Sequence, residues 1–290
     1  MARIEKLVVV GVGLIGGSFA LALKAAGAVG RVVGVGRGAS NIRHALELAV
    51  IDAAGALDRE TLKDADLVLL AVPVGQMQAI MRAIAPLLGP GTVVTDAGST
   101  KQDVVELAMR ELRGALSRFI PGHPVAGTEK SGAEAAFADL YRGRKVVLTP
   151  LPENERGAIA RVRMAWERCG AQVFEMQPDE HDAVLATVSH LPHVLAFALV
   201  DLVAGSKDAE RLFSFAAGGF RDFTRIASSS PEMWRDICLA NRDALLAELA
   251  RYRGELDEVR TILERGDGKG LEALFSRARE ARERWAKGER

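Results

Sequence analysis

Short runs of β-branched and aliphatic residues recur between longer stretches of helical periodicity through the first 176 residues, and then stop. The runs are Lys6–Val10, Arg31–Val35, Leu67–Val72, Thr92–Thr95, Arg118–Ile120, Lys145–Leu148 and Gln172–Phe174. Helical connections between strands are long enough to return the chain in the same direction, so this alternation predicts a mostly parallel sheet with helical crossovers. Leu67-Val68-Leu69-Leu70-Ala71-Val72 is apolar at every position, which suits a central strand covered on both faces.

Beyond Met176 the pattern predicts helix only, with breaks at Pro178, Pro192, Gly218-Gly219 and Ser228–Pro231. The composition shift divides the chain into 1–177 and 178–290. A length of 290 residues, 49% hydrophobic, is about where one core splits into two. In the second part Leu245, Leu249, Tyr252, Leu256, Val259 and Leu263 fall on one helix face. Two readings of that stripe stand: a helix packed on its own domain, or the seam of a homodimer. With the apolar Val194–Val203 segment, it motivates the expectation of a dimer.

Lys plus Arg equals Asp plus Glu at 38 each, which removes the electrostatic reason for binding nucleic acid or an anionic membrane. A small-molecule partner is the expectation. Cys169 and Cys238 are too far apart for a disulfide framework or a Cys-based metal site, and a reducing cytoplasm fits them. The uncharged stretch from Leu7 to Leu23 resembles an export signal or short membrane span in composition. Gly11, Gly13, Gly16 and Gly17 interrupt it, and no small-residue cleavage site follows, so neither reading is adopted.

Those glycines have a better use. Gly11-Val12-Gly13-Leu14-Ile15-Gly16 follows the first strand and opens a helix, the setting in which G-x-G-x-x-G is a dinucleotide fingerprint. Gly11 serves the tight turn, Gly13 the approach of a pyrophosphate, and Gly16 close helix–strand packing, while the helix N-terminus supplies N–H groups to phosphate. The expected fold is therefore α/β, a Rossmann-type domain followed by an all-helical one. Twenty residues after Gly16, at Val35-Gly36-Arg37, no carboxylate stands where an NAD-selective site presents one to the ribose. Arg37, with Ser40 or Arg43, can instead meet a 2′-phosphate, so NADP is favoured over NAD. The alternative is that Arg37 is an ordinary surface residue.

His123 lies just after a predicted strand, in Pro121-Gly122-His123-Pro124-Val125-Ala126-Gly127-Thr128-Glu129-Lys130-Ser131-Gly132, and Ser99 lies likewise in Asp96-Ala97-Gly98-Ser99-Thr100-Lys101. Carboxyl ends of strands face the ligand crevice in such sheets, so the two can converge. A neutral imidazole accepts a hydroxyl proton near neutral pH, and a serine hydroxyl can fix its tautomer. Ser99 can equally be a helix N-cap. His190 and His193, with His181 upstream, invite a metal reading, but Pro192 and the lack of HExxH argue against it, and no metal is expected.

Together these segments resemble the prephenate/arogenate dehydrogenase family of tyrosine biosynthesis. The resemblance is carried by Ala71-Val72-Pro73, Asp96–Lys101, His123–Gly132, Ser189-His190-Leu191-Pro192-His193 and Gly218–Ala227, in the family's order. It implies NAD(P)-dependent oxidative decarboxylation of prephenate and/or arogenate to 4-hydroxyphenylpyruvate and/or tyrosine. By the resemblance His123 accepts or polarises the 4-hydroxyl proton with Ser99 orienting it, Arg225 pairs with a substrate carboxylate, and His190 and Thr128 join the substrate pocket. Leu14, Ile15, Val72 and Pro73 join the cofactor site. A dicarboxylate or amino-acid substrate suits a guanidinium, which binds carboxylate as a bidentate fork. Arg225 can alternatively pair with Asp222 one helical turn away. Glu129 and Asp222 are read as gating or charge-balancing residues, or as solvated surface. A fused mutase or regulatory domain is not expected. The rival readings are a β-hydroxyacid-type dehydrogenase, whose usual lysine has no recognisable counterpart in Lys207 or Lys269, and an NADPH-binding redox sensor.

Overall fold

The computed structural model describes residues 3–128 and 130–288; Glu129 lies outside the described residues. Strands β1 (Ile4–Val10), β2 (Val29–Val35), β3 (Ala53–Ala54), β4 (Leu67–Leu70), β5 (Val93–Asp96) and β6 (Phe119–Ile120) form one sheet in the order β3-β2-β1-β4-β5-β6. Every pairing in it is parallel. The connections carry helices α1 (Leu14–Ala25), α2 (Ala39–Glu47), α3 (Arg59–Leu62), α4 (Met77–Ile84) and α5 (Gln102–Glu111).

The side-chain period of two shows in the core. Leu7, Val9, Leu67, Leu69 and Val93 enter one apolar cluster, with Phe19 and Leu23 of α1. Val8, Val10, Val68, Leu70 and Val94 enter the other, with Met77 and Met81 of α4. Both faces of the sheet are thus covered, which is why its strands read as unbroken apolar runs.

Two of the predicted strands leave this sheet. β7 (Gly122–Pro124), β8 (Lys145–Leu148) and β9 (Gln172–Glu175) form a second sheet in that order, with β7 antiparallel and β9 parallel to β8. The chain changes sheets at Pro121, which has no N–H for the ladder and whose carbonyl accepts from Thr149 N–H at 3.0 Å. Helix α6 (Arg156–Arg168) connects β8 to β9 and packs on α1, where Trp166 lies against Phe19 with ring centroids 4.5 Å apart.

After β9 the chain is helical: α7 (Pro178–Leu185), α8 (Leu191–Ala204), α9 (Ala209–Ser214), α10 (Gly218–Thr224), α11 (Pro231–Ala240), α12 (Arg242–Glu264) and α13 (Gly268–Ala286). The break predicted at Pro192 does not occur. A π-turn over Ala186–His190 joins α7 to α8, and Leu191 N–H donates to Ala186 O, five residues back. Proline removes one helical donor and crowds the preceding turn, and the extra residue of a π-turn accommodates both. The predicted break at Ser228–Pro231 is real: Ser230 Oγ accepts from Met233 N–H and caps α11, with Pro231 in its first turn.

The backbone forms two compact units, Met1–Arg242 and Asp243–Arg290. The composition shift at residue 177 falls inside the first, because Trp234 and Ile237 of α11 join the apolar cluster of Val74, Met77 and Met81. The second unit is the helical pair α12 and α13.

Candidate active site

Backbone sterics separate the three fingerprint glycines. Gly11 has φ +99°, and a Cβ there would lie 2.2 Å from the Ala71 carbonyl oxygen. At Gly16 a Cβ would lie 2.2 Å from Gly11 O and 2.7 Å from Val9 Cγ1. At Gly13 it would meet nothing within 4 Å. The first two are therefore required by the protein's own backbone, whereas the space at Gly13 is open to a ligand. Gly13 caps α1 without a side-chain hydrogen bond, and the first turn holds no acidic residue. An uncapped N-terminus of this polarity suits phosphate, so the loop fits the pyrophosphate of a dinucleotide.

Asn41 braces the loop, donating from Nδ2 to Val12 O at 2.7 Å and accepting at Oδ1 from Ala133 N–H at 2.9 Å. Tyr141 Oη donates to Ile15 O at 2.6 Å. Neither residue stood out in the sequence, since each reaches the loop from a distant segment. Val72 and Pro73 follow β4, and the Val72 side chain lies against Gly11. At the end of β2, Gly36, Arg37 and Ser40 are exposed, and a Cβ on Gly36 would meet only the Ile42 side chain, at 3.0 Å or more.

His123 follows β6, as expected, and is also the middle residue of the short strand β7, where it is buried. Its neighbour Gly122 is held from both sides: its N–H donates to Asp96 Oδ1 at 3.0 Å, and its carbonyl accepts from Lys101 Nζ at 2.7 Å. Asp96 and Lys101 are themselves a fully buried ion pair. The Nδ1 of His123 lies 2.8 Å from His181 Nε2, and His181 Nδ1 lies 2.7 Å from Asp182 Oδ1. Asp182 also accepts from Lys101 N–H at 2.8 Å and Gln102 N–H at 2.9 Å, 81 and 80 residues away. It therefore provides the side-chain cap of α5, the part considered for Ser99. Ser99 lies half-buried in the loop after β5, and the Nδ1 partner of His123 is His181 rather than Ser99.

Burial dominates the electrostatics. It holds the His123 pKa well below the ordinary imidazole value, with the charge of Lys101 acting the same way. Burial likewise lowers His181, against the opposing pull of Asp182. His190, at the end of the π-turn, is pushed down to about 4 by burial. Its Nδ1 is 3.1 Å from Asn241 Nδ2, which also donates to Asp182 O at 2.8 Å, while its Nε2 is buried without a partner. His193 stacks on Trp234 with centroids 3.6 Å apart, and its lowered pKa reflects burial and then the charge of Arg225.

Arg225 begins the 3₁₀ turn Arg225–Ser228 after α10 and, with Phe220, Arg221 and Thr224, lines an open cavity of about 410 Å³. Thr128 is exposed, and its Oγ1 accepts from Lys130 N–H at 3.3 Å. Among the described residues no three His, Cys, Asp or Glu side chains are grouped to hold a metal. The structure thus joins His123 to His181, Asp182, Asn241 and His190. Of these partners the sequence had marked only the histidines, and His181 only as a possible ligand. Asp182 and Asn241 carry no local signal, because Asp182 meets Lys101 across 81 residues and Asn241 meets His190 and Asp182 across 51 and 59.

Residues 19–175 match the family described as prephenate dehydrogenase, nucleotide-binding domain, and residues 177–277 that described as prephenate dehydrogenase, dimerization domain. The chain is 38% identical over 281 residues to prephenate dehydrogenase of Bacillus subtilis, covering 96% of this chain and 76% of that one. It is 38% identical to cyclohexadienyl dehydrogenase of Zymomonas mobilis over 226 residues, 77% of this chain and 76% of the relative. The crystal structure of prephenate dehydrogenase from A. aeolicus in complex with hydroxyphenyl propionate and NAD+ matches with TM-score 0.90 at 36% identity, covering 97% and 98% of the two chains. With both family regions matched and this fingerprint loop, the chain belongs to the prephenate dehydrogenase family and is an oxidoreductase that uses a nicotinamide cofactor.

Proposed function

We propose that this enzyme carries out the oxidative decarboxylation of prephenate and/or arogenate, yielding 4-hydroxyphenylpyruvate and/or tyrosine. The observation that carries the reading is His123: a buried, neutral imidazole in β7, three residues past the carboxyl end of β6 in the parallel sheet whose first strand leads into a dinucleotide loop. Family membership displaces the β-hydroxyacid and redox-sensor alternatives.

A nicotinamide cofactor held here would supply the hydride acceptor for the substrate carbon that bears the 4-hydroxyl. Gly11, Gly13, Leu14, Ile15 and Gly16 would hold its pyrophosphate, and Val72 and Pro73 would border it. His123 takes the hydroxyl proton, an assignment supported by its burial and neutral state. Ser99, in the loop past the carboxyl end of β5, orients the hydroxyl group, supported by the pairing of β5 with β6, the strand that leads to His123. Arg225 pairs with a substrate carboxylate, and His190 and Thr128 complete the pocket. Loss of carbon dioxide from the opposite ring carbon, its bonding pair passing into the ring, then leaves an aromatic phenolate, whose oxygen takes the proton back from His123 to give the 4-hydroxyphenyl product.

NADP is preferred to NAD in this reading, supported by Gly36 and exposed Arg37 and Ser40 where a carboxylate would repel a 2′-phosphate. The working division is 1–177 for cofactor and 178–290 for substrate and dimerisation, supported by the bounds of the two family matches. A homodimer in the cytoplasm is the expected state, supported by the dimerization-domain match and two widely separated cysteines.

Steady-state kinetics on two variants test the assignments. His123→Asn should lower kcat by about 10²–10⁴-fold with less effect on substrate binding. Arg225→Ala should chiefly raise KM, by about 10–150-fold if a charge-assisted bond of roughly 1.5–3 kcal/mol is lost, and Arg225→Lys should recover only part of it. Near-normal kcat in the first, or unchanged KM in the second, removes the corresponding role.

A further inference from the structure

We propose that Asp182 and His181 are positioning residues that fix His123 as its Nδ1–H tautomer, leaving Nε2 as the lone pair that receives the substrate proton. This rests on the reading of His123 as the base. The three side chains form a continuous buried line, with contacts of 2.7 Å from Asp182 Oδ1 to His181 Nδ1 and 2.8 Å from His181 Nε2 to His123 Nδ1. The ring planes are inclined at 69° with centroids 5.0 Å apart, and it is the 2.8 Å contact between the two ring nitrogens that requires one of them to donate an N–H to the in-plane lone pair of the other.

Proton counting sets the direction. An ionised carboxylate has only lone pairs, and Asp182 already accepts two backbone N–H groups, so His181 Nδ1 must donate to it. A neutral imidazole carries one N–H. His181 Nε2 is therefore an acceptor, His123 Nδ1 must donate to it, and His123 Nε2 is left unprotonated. A doubly protonated His181 would reverse the last contact and place a proton on His123 Nε2. Burial and the ammonium of Lys101 oppose that state, although Asp96 and Asp182 favour it. His190 and Lys101 press on His123 in the same neutral direction. When the substrate O–H bond breaks and an N–H bond forms at His123 Nε2, the new positive charge faces Asp182 through His181. The line also crosses the join between sheet and helices: His123 comes from β7, and His181 and Asp182 from α7.

Nitrogen-15 NMR of the imidazole rings reads the tautomer in the wild-type protein, with single His→Gln variants used only to assign the resonances of its five histidines. At pH 7 the expectation is a protonated Nδ1 and a bare Nε2 on both His123 and His181. A protonated Nε2 on His123 overturns the proposal. Kinetically, His181→Leu should lower kcat by about 10²-fold with KM nearly unchanged, and move the acid limb of the kcat profile. His181→Gln, whose amide oxygen can accept from His123 Nδ1, should recover part of the loss. If His181→Leu folds and keeps kcat within twofold, the relay is wrong even though His123→Asn is inactive. If His123→Asn itself is active, the failure belongs to the base assignment instead.

Discussion

Gly13 and Gly16 stand three residues apart, one at the N-cap of α1 and one in its first turn, and answer to different constraints. A methyl group at Gly16 meets a carbonyl oxygen at 2.2 Å, an atom that cannot rotate aside. Gly16→Ala should therefore cost at least about 2 kcal/mol in urea unfolding, or force α1 away from β1. Gly13→Ala meets nothing, so its stability should stay within about 1 kcal/mol of wild type while the KM for cofactor rises at least about tenfold. Equal stability loss in the two variants would contradict this division of roles. The spacing of these glycines, read after an apolar strand, was enough to mark all three, although the atom that constrains Gly11 is the carbonyl of Ala71, which lies in a distant segment. His123 was visible in the same way. Its partners were not, since neither His181 nor Asp182 has any sequence relation to a residue 58 positions earlier.

At the scale of elements, the join of α7 and α8 shows how a proline can sit within a long helical run. The π-turn that accommodates Pro192 ends at His190, whose side chain is turned into the interior with Nε2 unsatisfied. This carries a pH consequence. In the unfolded chain His190 titrates near 6.5, and in the fold at about 4, so between those values the unfolded state binds the extra proton. The contribution is fully present above pH 6.5 and is lost as pH falls toward 4, with a total of about 3 kcal/mol. Urea titrations at pH 7 and pH 5 should show a loss about 2 kcal/mol smaller in His190→Leu than in wild type. An identical loss in both would show that another group sets the acid sensitivity. The β2–α2 corner supports a second element-scale prediction. Gly36→Asp should shift preference toward NAD, since a carboxylate accepts from the ribose hydroxyls and repels a 2′-phosphate, and only the movable Ile42 side chain stands in its way. An NADP/NAD ratio of kcat/KM that does not move would remove the reading of Arg37.

For the whole molecule, the apolar surface is the informative quantity. Leu202, Leu239, Leu256 and Leu263 are each more than half exposed, and the 27-residue run Pro178–Ala204 is apolar enough to resemble a membrane span yet only 28% buried over its most apolar window. Surface of this kind needs a cover, and the dimerization-domain match over residues 177–277 contains all of it. Sedimentation at micromolar concentration should return a dimer, and a monomer would withdraw the expectation. Along the Leu245–Leu263 stripe Leu245 is buried while Leu256 and Leu263 are exposed, which supports the seam reading for its second half.

What the sequence determined by itself was whatever depends on near neighbours: the βα alternation, the unbroken apolar strands, the glycine loop, the absent carboxylate after β2 and the change to helix past Met176. Each rests on periodicity or backbone sterics within a few residues. β3 and β7 escaped notice because Ala53-Ala54 and Gly122-His123-Pro124 have little strand propensity and are held by pairing with β2 and β8. Tertiary structure alone decided that the strands divide between two sheets, that Asp182 caps a helix 80 residues earlier, and that α11 packs on the sheet domain. It also decided that His123 points its Nδ1 at His181. These outcomes follow from burial: a polar group removed from water must find a partner, and only the folded chain brings one within reach.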